Sequence, residues 1–242
     1  MKIVAINGSP RGKASNTNVM VSAFLKGAKA GDAETANVFL AEKDIKHCKG
    51  CLSCWLNTPG KCVIEDDMTE TLSICSGADV LVLATPLYID NISSMLKVFM
   101  ERMIVGGNPH MQKAENGESR HVKSGKKAAP KLIMMSNCGF PERSHFQVIS
   151  HWIQRFALNM KTEVLAEIYT SQGGLLGYTG DEEGLQPIIF KYLGAMEDAG
   201  YQIATTMKIE EETKEVLEQK FLSDQVFLKS TNAYFDSVLQ KA

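Results

Sequence analysis

Two groups of residues in this chain can do chemistry beyond packing. The first is Cys48-x-x-Cys51-x-x-Cys54, followed after seven residues by Cys62. Three thiolates at that spacing can wrap one face of an iron-sulfur cube, and a fourth returns through the turn Thr58-Pro59-Gly60. Ordinary thiols or a reversible disulfide fit the same residues. So does zinc, although paired Cys-x-x-Cys knuckles separated by a longer span are its more usual form. His47, beside Cys48, reads as a surface residue, and Cys75 as a core thiol on a helical stripe.

The second group is the run Gly8-Ser9-Pro10-Arg11-Gly12-Lys13-Ala14-Ser15-Asn16-Thr17. Backbone N–H groups at a helix start, the hydroxyls of Ser9, Ser15 and Thr17, and the Arg11 guanidinium can together replace water around a phosphate dianion. Two other phosphate loops fail on spacing. A Walker A loop needs four residues between its glycines and a hydroxyl after its lysine, whereas three separate Gly8 from Gly12 and Ala14 follows Lys13. The dinucleotide fingerprint Gly-x-Gly-x-x-Gly is also missing. A lone phosphate without a magnesium signature points to a mononucleotide.

Regular elements must hold these residues in place. Lys2 to Ile6 is a short apolar run stopped at Asn7-Gly8, which predicts a buried strand. Asn16 and Thr17 offer a cap for a helix ending near Gly31. Further strands are expected at Thr35–Leu40, Asp79–Ala84, Lys131–Ser136 and Glu163–Tyr169. Between them lie helices begun by the capping-box pattern Asp67-Met68-Thr69-Glu70, by Ser93 and by Ser144. This alternation predicts an α/β fold with a doubly wound, five-stranded parallel sheet in the order 2-1-3-4-5. Ligands on such sheets bind beyond the carboxyl ends of the strands. The loops after Ile6, Ala84 and Ser136 are therefore the candidates.

The second of these loops, Thr85-Pro86-Leu87-Tyr88-Ile89-Asp90-Asn91-Ile92, offers backbone and a tyrosine edge to a planar ring. The third, Asn137-Cys138-Gly139-Phe140-Pro141, offers amides to the side of a flavin where reduction builds negative charge. On this fold the mononucleotide is then flavin mononucleotide, FMN. The polar segment 106–130 reads as a mobile surface loop or subunit contact. Residues from 172 onward read as an irregular stretch and two or three helices, beginning near Gln186-Pro187 and Glu211.

Bulk properties agree with a globular protein. The chain has 242 residues, 44% hydrophobic, with 26 basic and 28 acidic side chains and a formal net charge of −2. That balance gives no electrostatic case for nucleic acid or an anionic membrane as partner. No run of about 18 apolar residues suits a spanning helix. The first apolar stretch is too short for a signal peptide, so a cytoplasmic location is expected, where cysteines stay reduced or hold metal.

Asn7 to Thr17, the sequence Asp66-Asp67-Met68, the turn Thr85-Pro86-Leu87-Tyr88 and the run Leu96-Lys97-Val98-Phe99-Met100-Glu101-Arg102 resemble the flavodoxin-like NADPH-dependent FMN reductase superfamily, closest to its iron-sulfur flavoprotein branch. The resemblance spans about residues 1–170. It implies an FMN-binding domain over 1–170 and a C-terminal helical extension over 171–242. It also implies phosphate contacts at Ser9, Arg11, Ser15, Asn16 and Thr17, and ring contacts at Pro86, Leu87, Tyr88, Asn91, Cys138 and Gly139. For Cys48, Cys51, Cys54 and Cys62 it implies a [4Fe-4S] cluster.

The expected activity is hydride acceptance from NAD(P)H by FMN, with electrons passed to a small acceptor or a redox protein. No side-chain acid, base or nucleophile is then obligatory. With a cluster present, the same chain is instead an electron-transfer protein. A third class is a regulatory module that binds flavin or metal. The resemblance further implies a homodimer or homotetramer in which a neighbouring chain covers the flavin.

Overall fold

The structure is a computed structural model that describes residues 1–122, 128–177 and 184–240. Five strands form one parallel sheet: β1 (Lys2–Asn7), β2 (Glu34–Phe39), β3 (Val80–Pro86), and, after a small hairpin of β4 (Met111–Lys113) and β5 (Ser119–His121), β6 (Lys131–Asn137) and β7 (Val164–Thr170). Their order is β2-β1-β3-β6-β7, the expected 2-1-3-4-5 once the hairpin is set aside. The helices are α1 (Asn16–Ala30), the single turn α2 (Ser53–Leu56), α3 (Met68–Cys75), α4 (Ser94–Arg102), α5 (Gln147–Met160), α6 (Leu185–Thr206), α7 (Glu211–Glu218) and α8 (Asp224–Leu239).

Alternation along the strands feeds two separate cores. Ile3, Ala5, Val80 and Val82 face Met20 and Phe24 of α1 and Ile189, Tyr192 and Met196 of α6. Val4, Ile6, Leu81 and Leu83 face Leu96 and Phe99 of α4 and Ile149 and Ile153 of α5. β3 is buried throughout because both its faces are covered. Each such large apolar side chain contributes about 1.5 to 3 kcal/mol, so packing outweighs local propensity in holding these layers.

On the first face, α1 and α6 meet through glycines. A methyl group on Gly27 would lie 1.7 Å from the carbonyl oxygen of Glu197, and one on Gly200 would lie 1.8 Å from that of Phe24. Backbone therefore rests on backbone, and only glycine fits. α8 stands apart, with Phe227 its one buried residue.

Three helix starts differ from expectation. Ser144 lies within a 3-10 turn, Arg143–Phe146, and α5 begins only at Gln147 without a side-chain cap. α1 is capped by Ser15, whose hydroxyl accepts from the N–H of Asn18 at 3.0 Å, and not by Asn16 or Thr17. The capping box of α3 does not form. Asp67 instead accepts from the N–H of Asp44 at 2.7 Å and Glu70 pairs with Lys43, because both carboxylates hold the incoming cysteine segment. Ser93 caps α4 as expected.

Within the expected surface loop 106–130, residues 111–121 form an antiparallel hairpin. Glu118 anchors it to α5 through Arg155 at 2.8 Å and pairs within it with Arg120 at 3.0 Å. Residues 123–127 of that segment, and 178–183 of the expected irregular stretch, lie outside the described residues. No helix among the described residues is long and apolar enough to cross a membrane.

Candidate functional site

A cleft of about 530 Å³, counting space open to solvent, lies at the carboxyl ends of β1, β3 and β6. Ser9, Arg11, Ser15, Asn16 and Thr17 line one end, and Pro86, Leu87, Tyr88, Asn137, Cys138 and Gly139 the other. These are eleven of the twelve flavin-contact residues expected from the sequence.

At the first end, the chain turns through Gly12 at φ +52° before α1 begins. The Ser15 hydroxyl is spent inside the loop, donating to the Gly12 carbonyl at 2.7 Å while it caps α1. Its role is to shape the loop. The N–H groups of Asn16 and Thr17 are first-turn donors with no helical acceptor, and they donate to nothing else among the described residues. Arg11 is exposed and its guanidinium has no partner among the described residues. Two free amides, a free cation and the positive end of a 15-residue helix thus converge. This donor set fits a phosphate dianion.

At the second end, Leu87 N–H donates to the Asn137 carbonyl at 2.8 Å, which ties the second and third loops together. Asn137 also reaches back to the first end, donating from Nδ2 to the Thr17 hydroxyl at 2.9 Å. Cys138 N–H is consumed by the Thr170 carbonyl at 3.1 Å. The amides left in the third loop are those of Gly139 and Phe140, which have no acceptor among the described residues. A flat ring with polar edges fits between Pro86–Tyr88 and this amide pair. Burial raises the Cys138 thiol above its ordinary value, so it sits in the cleft as a neutral group.

Asn91 does not line the cleft. It exchanges backbone hydrogen bonds with Tyr88 and accepts from Ile92 N–H through its own side chain at 2.8 Å. It closes a turn whose central residues, Ile89 and Asp90, have φ of 48° and 56°. For β-branched Ile89 that is a strained conformation.

Sequence reasoning missed the fourth loop of the rim. Gly174 lines the cleft. A methyl on neighbouring Gly173 would fall 2.8 Å from Asn137 Cβ. The available signal was a Gly-Gly pair just beyond the fifth strand, on the same edge as the other loops.

The four cysteines gather at a second site. Cys48, Cys51, Cys54 and Cys62 line one small cavity, closed by Val63, Ile104, Val105 and Arg102. Gly50 and Leu52 take left-handed backbone, at φ of 62° and 55°, to bend the segment around it. Burial and then the neighbouring Cys62 push the Cys54 thiol up, whereas the N–H and hydroxyl of Ser53 pull Cys51 down. Trp55 moors the segment, donating from Nε1 to the Ile104 carbonyl at 2.8 Å and meeting His121 edge to face.

Among the described residues, no three histidine, cysteine, aspartate or glutamate side chains stand close enough to share one ion. Zinc needs its sulfurs at about 2.3 Å from a single centre. Four thiols lining one cavity are a donor set that suits iron-sulfur or zinc ligation alike.

Comparison with known proteins places these two sites in context. The profile of the family described as NADPH-dependent FMN reductase matches residues 1–173. An iron-sulfur flavoprotein of Archaeoglobus fulgidus is 36% identical over 125 residues, which is 52% of this chain and 56% of that protein. One of Methanocaldococcus jannaschii is 27% identical over 188 residues, 77% of this chain and 90% of that one. For several curated relatives the match spans about half their length. Among solved structures, an FMN-dependent NADH-azoreductase of Bacillus anthracis, in complex with FMN, aligns with a TM-score of 0.58 at 16% identity, covering 84% of this chain and 99% of that one. At that identity the likeness shows a common fold.

Proposed function

The chain belongs to the NADPH-dependent FMN reductase family, and from that membership we propose that it is an FMN-dependent oxidoreductase which takes hydride from NAD(P)H and passes electrons to a small acceptor or a redox partner. The observation that carries this reading is the meeting of a phosphate-type donor set and a ring-sized slot in one cleft.

Bound there, FMN would supply the hydride and electron chemistry. The chain's own residues bind and orient. Arg11 and the first-turn amides of α1 hold the phosphate. The Pro86–Tyr88 backbone and the Asn137–Gly139 strand end fix the plane and the edge of the ring. The Gly139 and Phe140 amides stabilise negative charge on the ring edge they face. Half-exposed Tyr88 and Phe140 leave the outer side of the slot apolar and accessible, which suits a nicotinamide ring.

A second reading, that of an iron-sulfur flavoprotein with a [4Fe-4S] cluster on Cys48, Cys51, Cys54 and Cys62, is supported by the shared cavity of those four residues. In that case the protein transfers electrons one at a time to a protein partner. Homodimer or homotetramer formation belongs to either reading, and sedimentation velocity tests it.

Anaerobic purification followed by an absorption spectrum, iron analysis and NAD(P)H oxidation separates these outcomes. Flavin bands with steady nicotinamide oxidation in the presence of a quinone support the reductase. Flavin plus about four irons per chain, with negligible turnover, supports the electron carrier. A colourless protein that also refuses FMN in a titration overturns both.

A further inference from the structure

Arg102, at the end of α4, is the largest fully buried side chain among the described residues, with 1% of it exposed. Its partner Asp66 is fully enclosed and takes both terminal nitrogens, Nη1 at 2.6 Å and Nη2 at 3.1 Å. Nη1 also donates to the Lys46 carbonyl at 2.8 Å, and Asp66 accepts from the N–H groups of Lys46 and Met68. This pair therefore pins residue 46 to residue 66, the two ends of the segment that carries all four cysteines. Burial disfavours the Asp66 carboxylate, but these donors outweigh it and hold its pKa below the ordinary value.

A clamp alone needs no further contact. Yet Nη2 also donates to Cys62 Sγ at 3.5 Å, Arg102 lines the cysteine cavity, and its Nε–H is buried with no acceptor among the described residues. Asp66 cancels the charge, so what the cavity receives is a directional pair of N–H donors. Donors to cluster sulfurs favour the reduced, more negative state.

We propose that Arg102 is a positioning residue of the four-cysteine site, fixing the Cys62 sulfur and raising the reduction potential of the cluster held there by N–H···S donation. The proposal rests on the iron-sulfur reading above. Lysine at this position keeps the charge opposite Asp66 but not the planar fork that reaches a second acceptor.

The test uses the full-length, FMN-loaded protein reconstituted anaerobically with iron and sulfide, as wild type and as Arg102→Lys. Iron and acid-labile sulfide are counted, and the cluster and flavin potentials are titrated together by electron paramagnetic resonance and absorbance. The expected result is equal iron, an unmoved flavin potential and a cluster potential shifted to lower values. If Arg102→Lys does not hold iron, the neutral pair Asp66→Asn with Arg102→Gln carries the same measurement, with the same downward shift expected. An unchanged cluster potential in a loaded variant, or equal shifts at both centres, overturns the role given to Arg102 while leaving the cluster intact. A wild type that takes up no iron overturns the iron-sulfur reading itself, and the proposal with it.

Discussion

The hydroxyl of Ser93 donates to the carbonyl oxygen of Gly8 at 2.6 Å and accepts from the N–H of Leu96 at 3.3 Å. One side chain thus caps α4 and ties it to the turn that opens the phosphate loop. The fit is tight, since a methyl on Gly8 would come within 3.0 Å of the Ser93 oxygen. Ser93→Ala should cost about 1 to 2 kcal/mol in urea unfolding. It should also weaken FMN binding, because the first loop loses its register. Wild-type affinity in a destabilised variant would mean that the loop is set by other contacts.

Among the described residues, Arg11 is the one unpaired cation lining the cleft and is expected on the phosphate. Arg11→Ala should weaken FMN about 10- to 150-fold in a fluorescence titration, the equivalent of one charge-assisted hydrogen bond of about 1.5 to 3 kcal/mol. Riboflavin, which lacks the phosphate, should bind both proteins alike. Equal losses for the two ligands would place Arg11 at the ring instead.

Two glycines of α6 make a paired test. Gly200→Ala must separate α1 from α6, and a loss of about 3 kcal/mol or more is expected. Gly194, in the same helix, has nothing within 4 Å of its added methyl. Gly194→Ala should be neutral or stabilising by up to about 1 kcal/mol. Thermal melts of the two variants that coincide would contradict the contact.

Burial pushes the Cys75 thiol up to about 11 from an ordinary 9.0, despite the opposing influence of Lys2. The folded value lies above the unfolded one, so this thiol's contribution to stability is whole below pH 9 and is lost as pH rises from 9 through about 11. Across that interval the melting midpoint of wild type should fall more steeply than that of Cys75→Ala. Parallel curves would show the thiol to be solvated.

Much of this architecture is legible because parallel strands covered on both sides are apolar runs, as β3 is, and because the helix faces between them keep their period. The rim of the cleft is legible for the same reason, since it must follow the strand ends. What escapes is whatever depends on partners distant in sequence. Strands of three residues, such as β4 and β5, carry no alternation. Their hairpin exists through Glu118 reaching Arg155, 37 residues away. Asn91 reads as a ligand and instead closes a turn, because the left-handed backbone of Ile89 is not written in any residue preference. Asp66 and Arg102 stand inside a recognisable motif, but a buried cation becomes intelligible only when the carboxylate from 36 residues earlier is placed beside it.

The seat of α6 on α1 bears on synthesis as well. By residue 170 every strand of the sheet has been made, yet one face stays incompletely covered until α6 has left the ribosome. Folding proceeds as the chain emerges, from its amino end. The nascent polypeptide therefore carries three of the cleft's four rim loops on an unfinished scaffold, still without Gly174, and a stalled chain ending at 170 should retain FMN poorly until the last third is released.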